Sequence, residues 1–94
     1  MSNPDPLIVT HNPEARRFEL EAEGALSVLA YLLEPGRIVF THTEVPPALE
    51  GRGLGSRLAR AGLDYARANS LRVASTCSFM DHYLRKHPEY QDLL

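Results

Sequence analysis

The sequence is poor in cysteine and contains no long apolar run. Its 94 residues include a single cysteine, Cys77, so an intramolecular disulfide is excluded and a reducing compartment is favoured. No apolar segment is long enough to span a bilayer, and residues 1–6 lack the basic and apolar regions of a signal peptide. We therefore expect a cytoplasmic protein that has no membrane partner.

The sequence also lacks a metal-binding pattern and an excess of basic residues. Its four histidines and one cysteine are scattered, without the spacing of known zinc sites, so no metal is expected. Ten Lys and Arg residues against twelve Asp and Glu residues do not form the basic surface that nucleic-acid binding requires. The charge is uneven: residues 1–49 carry three arginines and seven acids (−4), and residues 50–94 carry seven basic and five acidic residues (+2). A small polyanionic ligand that binds the second half is the better expectation.

Length and composition indicate one small globular domain spanning residues 1–94. A chain of this length with 44% hydrophobic residues has room for a single core. Apolar alternation and β-branched residues predict five strands, at 7–10, 18–23, 26–33, 37–45 and 71–76. Helical periodicity predicts one helix over 54–68 and a second from about 79 to 87.

The order of these elements predicts an α+β fold. Short connections make the first four strands antiparallel hairpins, and the strand at 26–33, apolar on both faces, is expected to be central. The helix over 54–68 forms a crossover that returns the fifth strand parallel to the fourth. Ser78 and Asp81 resemble a capping box for the second helix, which Pro88 ends near His87. The expected product is a mixed, mainly antiparallel sheet of order ββββαβα, with both helices on one face.

Residues 50–56 carry the most informative motif, Glu-Gly-Arg-Gly-Leu-Gly-Ser. It follows a strand that ends at Pro46 and Pro47, and it runs directly into the first helix. Glycine lets the backbone turn sharply and approach a ligand, while the first helical N–H groups and the helix dipole attract an anion. The glycine spacing alone suits a tight turn as well as a phosphate cradle. The flanking strand and helix favour the cradle.

Three segments in order resemble a known family. They are His42-Thr43-Glu44-Val45-Pro46-Pro47, the glycine loop Glu50-Gly51-Arg52-Gly53-Leu54-Gly55, and the stretch from Cys77 to Tyr90. Together they resemble the GNAT acetyltransferase superfamily and, within it, a small stand-alone GNAT-like family. The resemblance implies a reduced GNAT fold, N-acetyltransferase activity, and acetyl-CoA or coenzyme A as the ligand. Glu50 stands where the superfamily usually has Gln or Arg, and Ser78 stands where the small family is expected to have proline.

The resemblance also implies how the coenzyme would bind. Its pyrophosphate is expected on the backbone N–H groups of residues 52–56, and its pantetheine along the strand edge at Val45. Pro46 has no N–H for strand pairing, so the sheet is expected to open between the strands at 37–45 and 71–76. Arg52 and Arg57 would contact phosphate, with solvated surface arginines as the alternative. The expected cofactor-binding residues are Val45, Gly51, Arg52, Gly53, Leu54, Gly55, Ser56, Arg57 and Ser78.

Acetyl transfer to an amine needs a base for the amine proton and a donor for the oxyanion. His42 and Glu44 are predicted to share the strand face of Ile38 and Phe40, where either side chain could accept the proton. Solvated side chains at a strand end are the alternative. The backbone N–H of Val45 is the expected oxyanion donor.

Tyr83 and Cys77 complete the catalytic candidates. The resemblance gives Tyr83 the position from which GNAT enzymes protonate the leaving thiolate, with core packing as the alternative. Cys77 precedes the second helix, whose dipole favours a thiolate, so an acetyl-Cys77 intermediate is a second route. Packing is its alternative, because ordinary GNAT transfer is direct and free cysteines are commonly buried.

We therefore expect an acetyl-CoA-dependent N-acetyltransferase that modifies a primary amine, either a protein lysine or a small amine. Two other classes stay open: a CoA-binding module with little turnover, which Glu50 suggests, and an interaction domain without the ligand. The protein is expected to be a monomer or a weak homodimer.

Overall fold

The alternating apolar residues of the chain form a five-stranded sheet, which a long amphipathic helix covers. The computed structural model describes residues 7–94; residues 1–6, on which the signal-peptide expectation depends, lie outside the described residues. The strands are β1 (Val9–Asn12), β2 (Arg17–Ala22), β3 (Ala25–Glu34), β4 (Arg37–Glu44) and β5 (Arg72–Ser75). The helices are α1 (Leu54–Ala68) and α2 (Ser78–Lys86), with 3-10 helices at Pro47–Leu49 and Pro88–Leu93.

The strands lie side by side in chain order, β1 to β5. The first four pair antiparallel, and β5 pairs parallel to β4 through the α1 crossover. The predicted mixed α+β fold, with β3 at its centre, is therefore confirmed. The two 3-10 helices were not predicted, because each is short, begins with a proline and has no repeated apolar face. Along residues 7–94 no helix combines the length and the apolar character that a membrane crossing demands.

The sheet has a core face and an outer face. The core face carries the buried side chains Phe18, Leu20, Leu29, Tyr31, Ile38 and Phe40, which form one cluster with both helices. From α1, Leu54, Leu58 and Leu63 are buried in this cluster, and each contributes roughly 1.5–3 kcal/mol of burial free energy. In β2, β3 and β4 the register places twelve side chains on the outer face: Arg17, Glu19, Glu21, Leu26, Val28, Ala30, Leu32, Glu34, Arg37, Val39, His42 and Glu44.

A β-bulge in β4 changes which side chains face the core. Tyr31 pairs with Phe40 and Ala30 pairs with His42, so Thr41 is an extra residue in β4. Directly opposed residues share a face, and Thr43 pairs with the buried Leu29. Thr43 therefore points to the core face. The prediction that His42 and Glu44 share the face of Ile38 and Phe40 is wrong, because the extra residue turns both onto the outer face.

The sheet opens between β4 and β5 beyond Phe40 and Ser75, the last residues that pair. Their ladder ends where Phe40 pairs with Ser75, and the N–H of Thr76 donates to the Phe40 carbonyl at 2.9 Å. Beyond that point β4 continues from Thr41 to Glu44 with pairing only to β3. The predicted opening is present, but it begins at the bulge, upstream of Pro46. The edge of β4 that faces β5 is thus left without a strand.

Candidate coenzyme groove

A groove of about 470 Å³ lies where the open end of β4 meets the starts of both helices. Its lining comes from the end of β4, the first 3-10 helix, the glycine loop and one residue of α2. The lining residues are Thr43, Val45, Leu49, Glu50, Gly51, Gly53, Leu54, Gly55, Ser56 and Phe79. Six of the nine predicted cofactor-binding residues belong to this set.

The glycine loop has the backbone shape that the sequence suggested. Gly51 has φ of 87° and Gly53 has φ of 77°, and Gly53 is the N-cap of α1. A Cβ at either position would meet no atom of the described chain within 4 Å. These two residues are therefore glycine because the backbone is left-handed, since other residues are strained there.

The first turn of α1 presents free N–H groups to the groove. The first α1 hydrogen bond runs from the N–H of Arg57 to the Gly53 carbonyl at 3.1 Å. Within residues 7–94 no hydrogen bond uses the N–H groups of Leu54, Gly55 or Ser56, and the first turn contains no acidic side chain. Unpaired N–H groups at the positive end of a fifteen-residue helix are suited to a phosphate.

Gly55 lets α2 approach this turn closely. A Cβ at Gly55 would lie 2.8 Å from Cζ of the Phe79 ring, closer than unstrained atoms pack. Only glycine therefore leaves Phe79 in its present position, where it forms one wall of the groove. Phe79 was not predicted to line the groove, although the sequence places it in the first turn of the helix after β5.

The two arginines expected at phosphate do not line the groove. Arg52 forms an ion pair with Glu23, in the turn between β2 and β3, and both side chains are exposed. The Nη1 atom of Arg57 donates to the carbonyl of Leu7 at 3.2 Å. Their contacts to phosphate stay a prediction that requires both guanidinium groups to leave these positions.

The start of α2 differs from the predicted capping box. Cys77 is the N-cap residue, without a side-chain cap hydrogen bond. The N–H of Asp81 donates to the Cys77 carbonyl at 2.9 Å, so Ser78 is already helical. The predicted capping box is therefore wrong: the helix begins at Ser78, and Cys77 caps it without a side-chain hydrogen bond. Ser78 is exposed and does not line the groove, and its contact with the coenzyme stays a prediction.

Cys77 does not line the groove but contacts Thr43, which does. Its Sγ is 3.3 Å from Oγ1 of Thr43, and only 6% of the residue is exposed. The Ser75 hydroxyl accepts from the Cys77 N–H and donates to the Cys77 carbonyl, both at 3.1 Å. Thr43 lines the groove and was missed, because strict alternation along β4 places it on the outer face.

His42 and Glu44 lie on the other side of the sheet from the groove lining. Their side chains are 63% and 70% exposed, and Nε2 of His42 is 3.6 Å from Oε1 of Glu44. Both belong to the part of β4 that no longer pairs with β5. The structure therefore places these candidate bases beside the opening in the sheet.

Tyr83 packs away from the groove lining. Its ring stacks on His87 at 3.9 Å between centroids, and burial raises the pKa of its hydroxyl. Nearby charged residues of α1 are Arg60 and Asp64. Its assignment as the acid for the leaving thiolate stays a prediction. No group of three or more His, Cys, Asp or Glu side chains in the described part of the chain could hold a metal ion.

Comparisons with known proteins agree with this geometry. Residues 17–93 match the sequence model of the GCN5-related N-acetyltransferase family. The chain is 36% identical to Protein NATD1 of Mus musculus over 86 residues, which cover 88% of this chain and 78% of the relative. The human Protein NATD1 is also 36% identical over 86 residues, with 88% and 76% covered.

A solved structure gives the same result. The NMR solution structure of a GCN5-like protein from Staphylococcus aureus superimposes with a TM-score of 0.74 and 31% sequence identity. The match covers 96% of this chain and 89% of that one. The resemblance read from the three sequence segments is thus confirmed, and the chain belongs to the GCN5-related N-acetyltransferase family.

Proposed function

We propose that the protein transfers the acetyl group of acetyl-CoA to a primary amine. The observation that carries this proposal is the continuous groove from the free N–H groups of α1 to the end of β4, where β4 no longer pairs with β5. One end suits a diphosphate, and the other offers backbone hydrogen-bonding groups to an extended amide chain. Acetyl-CoA has these two parts in this order.

The residues present fit such a ligand with one exception. The N–H groups of residues 54–56 and the left-handed Gly51 and Gly53 suit a phosphate group. The wall of Val45, Leu49 and Phe79 supplies apolar contact for the pantetheine. The exception is Glu50, which lines the groove. Its carboxylate would repel phosphate if it pointed inward.

Acetyl-CoA supplies a thioester whose carbonyl carbon accepts the amine nitrogen, forming the C–N bond as the C–S bond breaks. The N–H of Val45 donates to the oxyanion that develops on the carbonyl oxygen. The His42–Glu44 pair, beside the sheet opening, accepts the proton that the amine loses. The departing thiolate takes a proton from solvent or from Tyr83.

We propose direct transfer in preference to an acetyl-Cys77 intermediate. Among the described contacts of the Cys77 side chain, the only polar partner is the Thr43 hydroxyl. A cysteine nucleophile is normally paired with a base that takes its proton, and no histidine or carboxylate of the described chain forms a hydrogen bond with this thiol. Packing therefore accounts for Cys77 better than covalent catalysis does.

The second candidate function is a CoA-binding module with little turnover, and the position of Glu50 in the groove lining favours it. Calorimetry with CoA tests the ligand shared by both proposals. Labelled acetyl-CoA offered with lysine peptides and small amines then separates them. Transfer above the buffer rate supports the enzyme, whereas binding without transfer leaves the module.

Glu50→Gln sharpens this comparison because it removes one negative charge from the groove lining. We expect it to tighten CoA about two- to tenfold, since a carboxylate near phosphate costs roughly 0.5–1.4 kcal/mol at exposed sites. Glu14→Gln, in the exposed turn before β2, is the matched control. No binding of CoA to either variant or to the native protein would exclude both proposals.

A further inference from the structure

We infer that the outer face of the sheet, beside the open end of β4, docks a basic polypeptide segment that presents the acceptor lysine. This inference rests on the proposed function and names its substrate class. The Thr41 bulge turns His42 and Glu44 toward the outer face instead of the groove. The acceptor amine therefore approaches from the side of the sheet opposite the helices.

The shape of this face argues against a small-molecule acceptor. Small ligands are held in concave sites that bury most of their surface. Neither the coenzyme groove nor the second cavity, of about 270 Å³, is lined by an outer-face residue. The second cavity lies between β5, α2 and the final residues, with Ser75, Asp81 and Gln91 in its lining. An extended polypeptide, in contrast, can lie across an open sheet face.

The centre of the outer face is apolar along β3. Leu26 is 43% exposed and Leu32 is 54% exposed, with the half-buried Val28 and Ala30 between them. Exposed apolar side chains in a continuous row, with polar groups around them, mark a surface that packs against another chain. The aliphatic parts of a polypeptide segment would cover this row.

The charges at the open end select a basic segment. Glu21 lies directly across from Leu26, and Glu44 lies across from Val28, so the two carboxylates border the apolar row on both sides. Glu19 is already engaged, because Arg17 and Asn12 donate to it and lower its pKa. Among residues 7–94 the Glu21 carboxylate forms no hydrogen bond or ion pair. Lysine or arginine side chains of the acceptor complement these carboxylates.

The test compares two acceptors that share the same amine. One is a short peptide with a central lysine flanked by arginines, and the other is Nα-acetyl-lysine amide. With native protein and saturating acetyl-CoA, we expect kcat/KM for the peptide to exceed that for the small acceptor at least about tenfold. Glu21→Lys and Leu26→Ser should each raise the peptide KM about three- to fivefold. Neither should change the small acceptor's kcat/KM or the Kd of CoA.

Two matched variants control for charge and for loss of apolar surface. Glu14→Lys makes the same charge change in the turn before β2. Leu33→Ser removes a leucine that is 41% exposed on the same strand but shares the side of the sheet that carries Leu29 and Tyr31. Both controls should leave the peptide KM unchanged.

Four results would overturn the inference. Equal kcat/KM for the two acceptors, or an unchanged peptide KM in Glu21→Lys and Leu26→Ser, would do so while the acetyltransferase function stands. A concentration-dependent dimer in sedimentation that Leu26→Ser dissociates would assign this face to a second copy instead. CoA binding without transfer to any amine would remove the proposed function itself, and the inference with it.

Discussion

The Oγ1 atom of Thr43 and the Sγ atom of Cys77 lie 3.3 Å apart, at the point where β4 and β5 have separated. The bulge at Thr41 turns Thr43 inward, and the N-cap position of α2 holds Cys77 against it. Thr43 lines the groove, whereas the buried Cys77 lies behind it and is not part of the lining.

Cys77→Ala should keep most of the transferase activity. Direct attack by the amine needs no thiol, so we expect kcat to stay within about threefold of the native value, whereas loss of a true nucleophile costs several orders of magnitude. Steady-state kinetics and intact-mass measurement after mixing with acetyl-CoA check this. A stable acetyl adduct on the native protein that the variant lacks, together with a collapse of kcat, would establish the covalent route.

Gly53→Val should weaken CoA binding through the backbone of the loop. Gly53 has φ of 77°, and a Cβ there meets no described atom, so the cost is conformational strain, about 1–3 kcal/mol. Relaxation of that strain moves the N–H groups, and we expect the Kd of CoA to rise about tenfold or more.

Gly36→Val is the matched control for this prediction. Gly36 has φ of 71° in the turn between β3 and β4, and its surroundings within the described chain are equally open. It should lose similar stability in urea unfolding while CoA affinity stays native. Equal Kd values for both variants would mean that the loop does not hold the coenzyme.

Most of the fold was readable from the sequence because the periodicities are strong. The helix over 54–68 has the predicted bounds, and the hairpins follow from turns such as Pro35-Gly36. The glycines before α1 identified the groove because the glycine spacing and the start of the helix are both local signals in the sequence. The short 3-10 helices left no comparable pattern.

The orientation of His42 and Glu44 could not be predicted because it depends on a non-local feature, the pairing of β4 with β3. Strict alternation gave His42 and Glu44 the core face, and one extra residue at Thr41 reverses that assignment. Nothing in the run from Thr41 to Glu44 marks a bulge, since its position is set by pairing with β3. Phe79 was missed for a related reason: its contact with Gly55 joins two helices.

Gly55→Ala should disturb the groove wall while leaving the core intact. Its Cβ would lie 2.8 Å from the end of the Phe79 ring, so the ring must move, and we expect the Kd of CoA to rise about three- to tenfold. The double variant Gly55→Ala/Phe79→Leu, which shortens the opposing side chain, should recover part of that loss. Calorimetry with CoA measures both.

Gly62→Ala provides the contrast within the same helix. Its Cβ would lie 2.8 Å from Phe40 and 3.0 Å from Leu29, inside the core. We expect a loss of about 1–3 kcal/mol in the free energy of unfolding with unchanged CoA affinity. Native CoA affinity in Gly55→Ala as well would show that Phe79 is not part of the binding wall.

Glu23→Gln should tighten CoA binding if Arg52 reaches phosphate in the complex. Glu23 forms an ion pair with Arg52, so its carboxylate would compete with phosphate for the guanidinium. Removing that competition should lower the Kd about two- to fivefold, and salt should reduce the difference. Glu34→Gln, which breaks the exposed ion pair with Arg37 in another turn, is the control. An unchanged Kd in Glu23→Gln would keep Arg52 out of the phosphate site.

Acid should weaken the fold through His11 as the pH falls below about 6.5. Its ring stacks on Phe18 at 4.3 Å between centroids, its Nε2 is 2.6 Å from the Tyr31 hydroxyl, and burial lowers its pKa below 6.5. The unfolded chain therefore binds this proton more readily than the folded one. This contribution to the free energy of unfolding is fully present above pH 6.5 and declines as pH falls toward the lowered pKa of the folded state.

Urea unfolding at pH 7.5 and 5.5, about one unit either side of 6.5, should show the decline in the native protein and a smaller one in His11→Phe. His82→Phe, at an exposed position of α2, should retain the full pH dependence, and an equal reduction in both variants would contradict the assignment to His11.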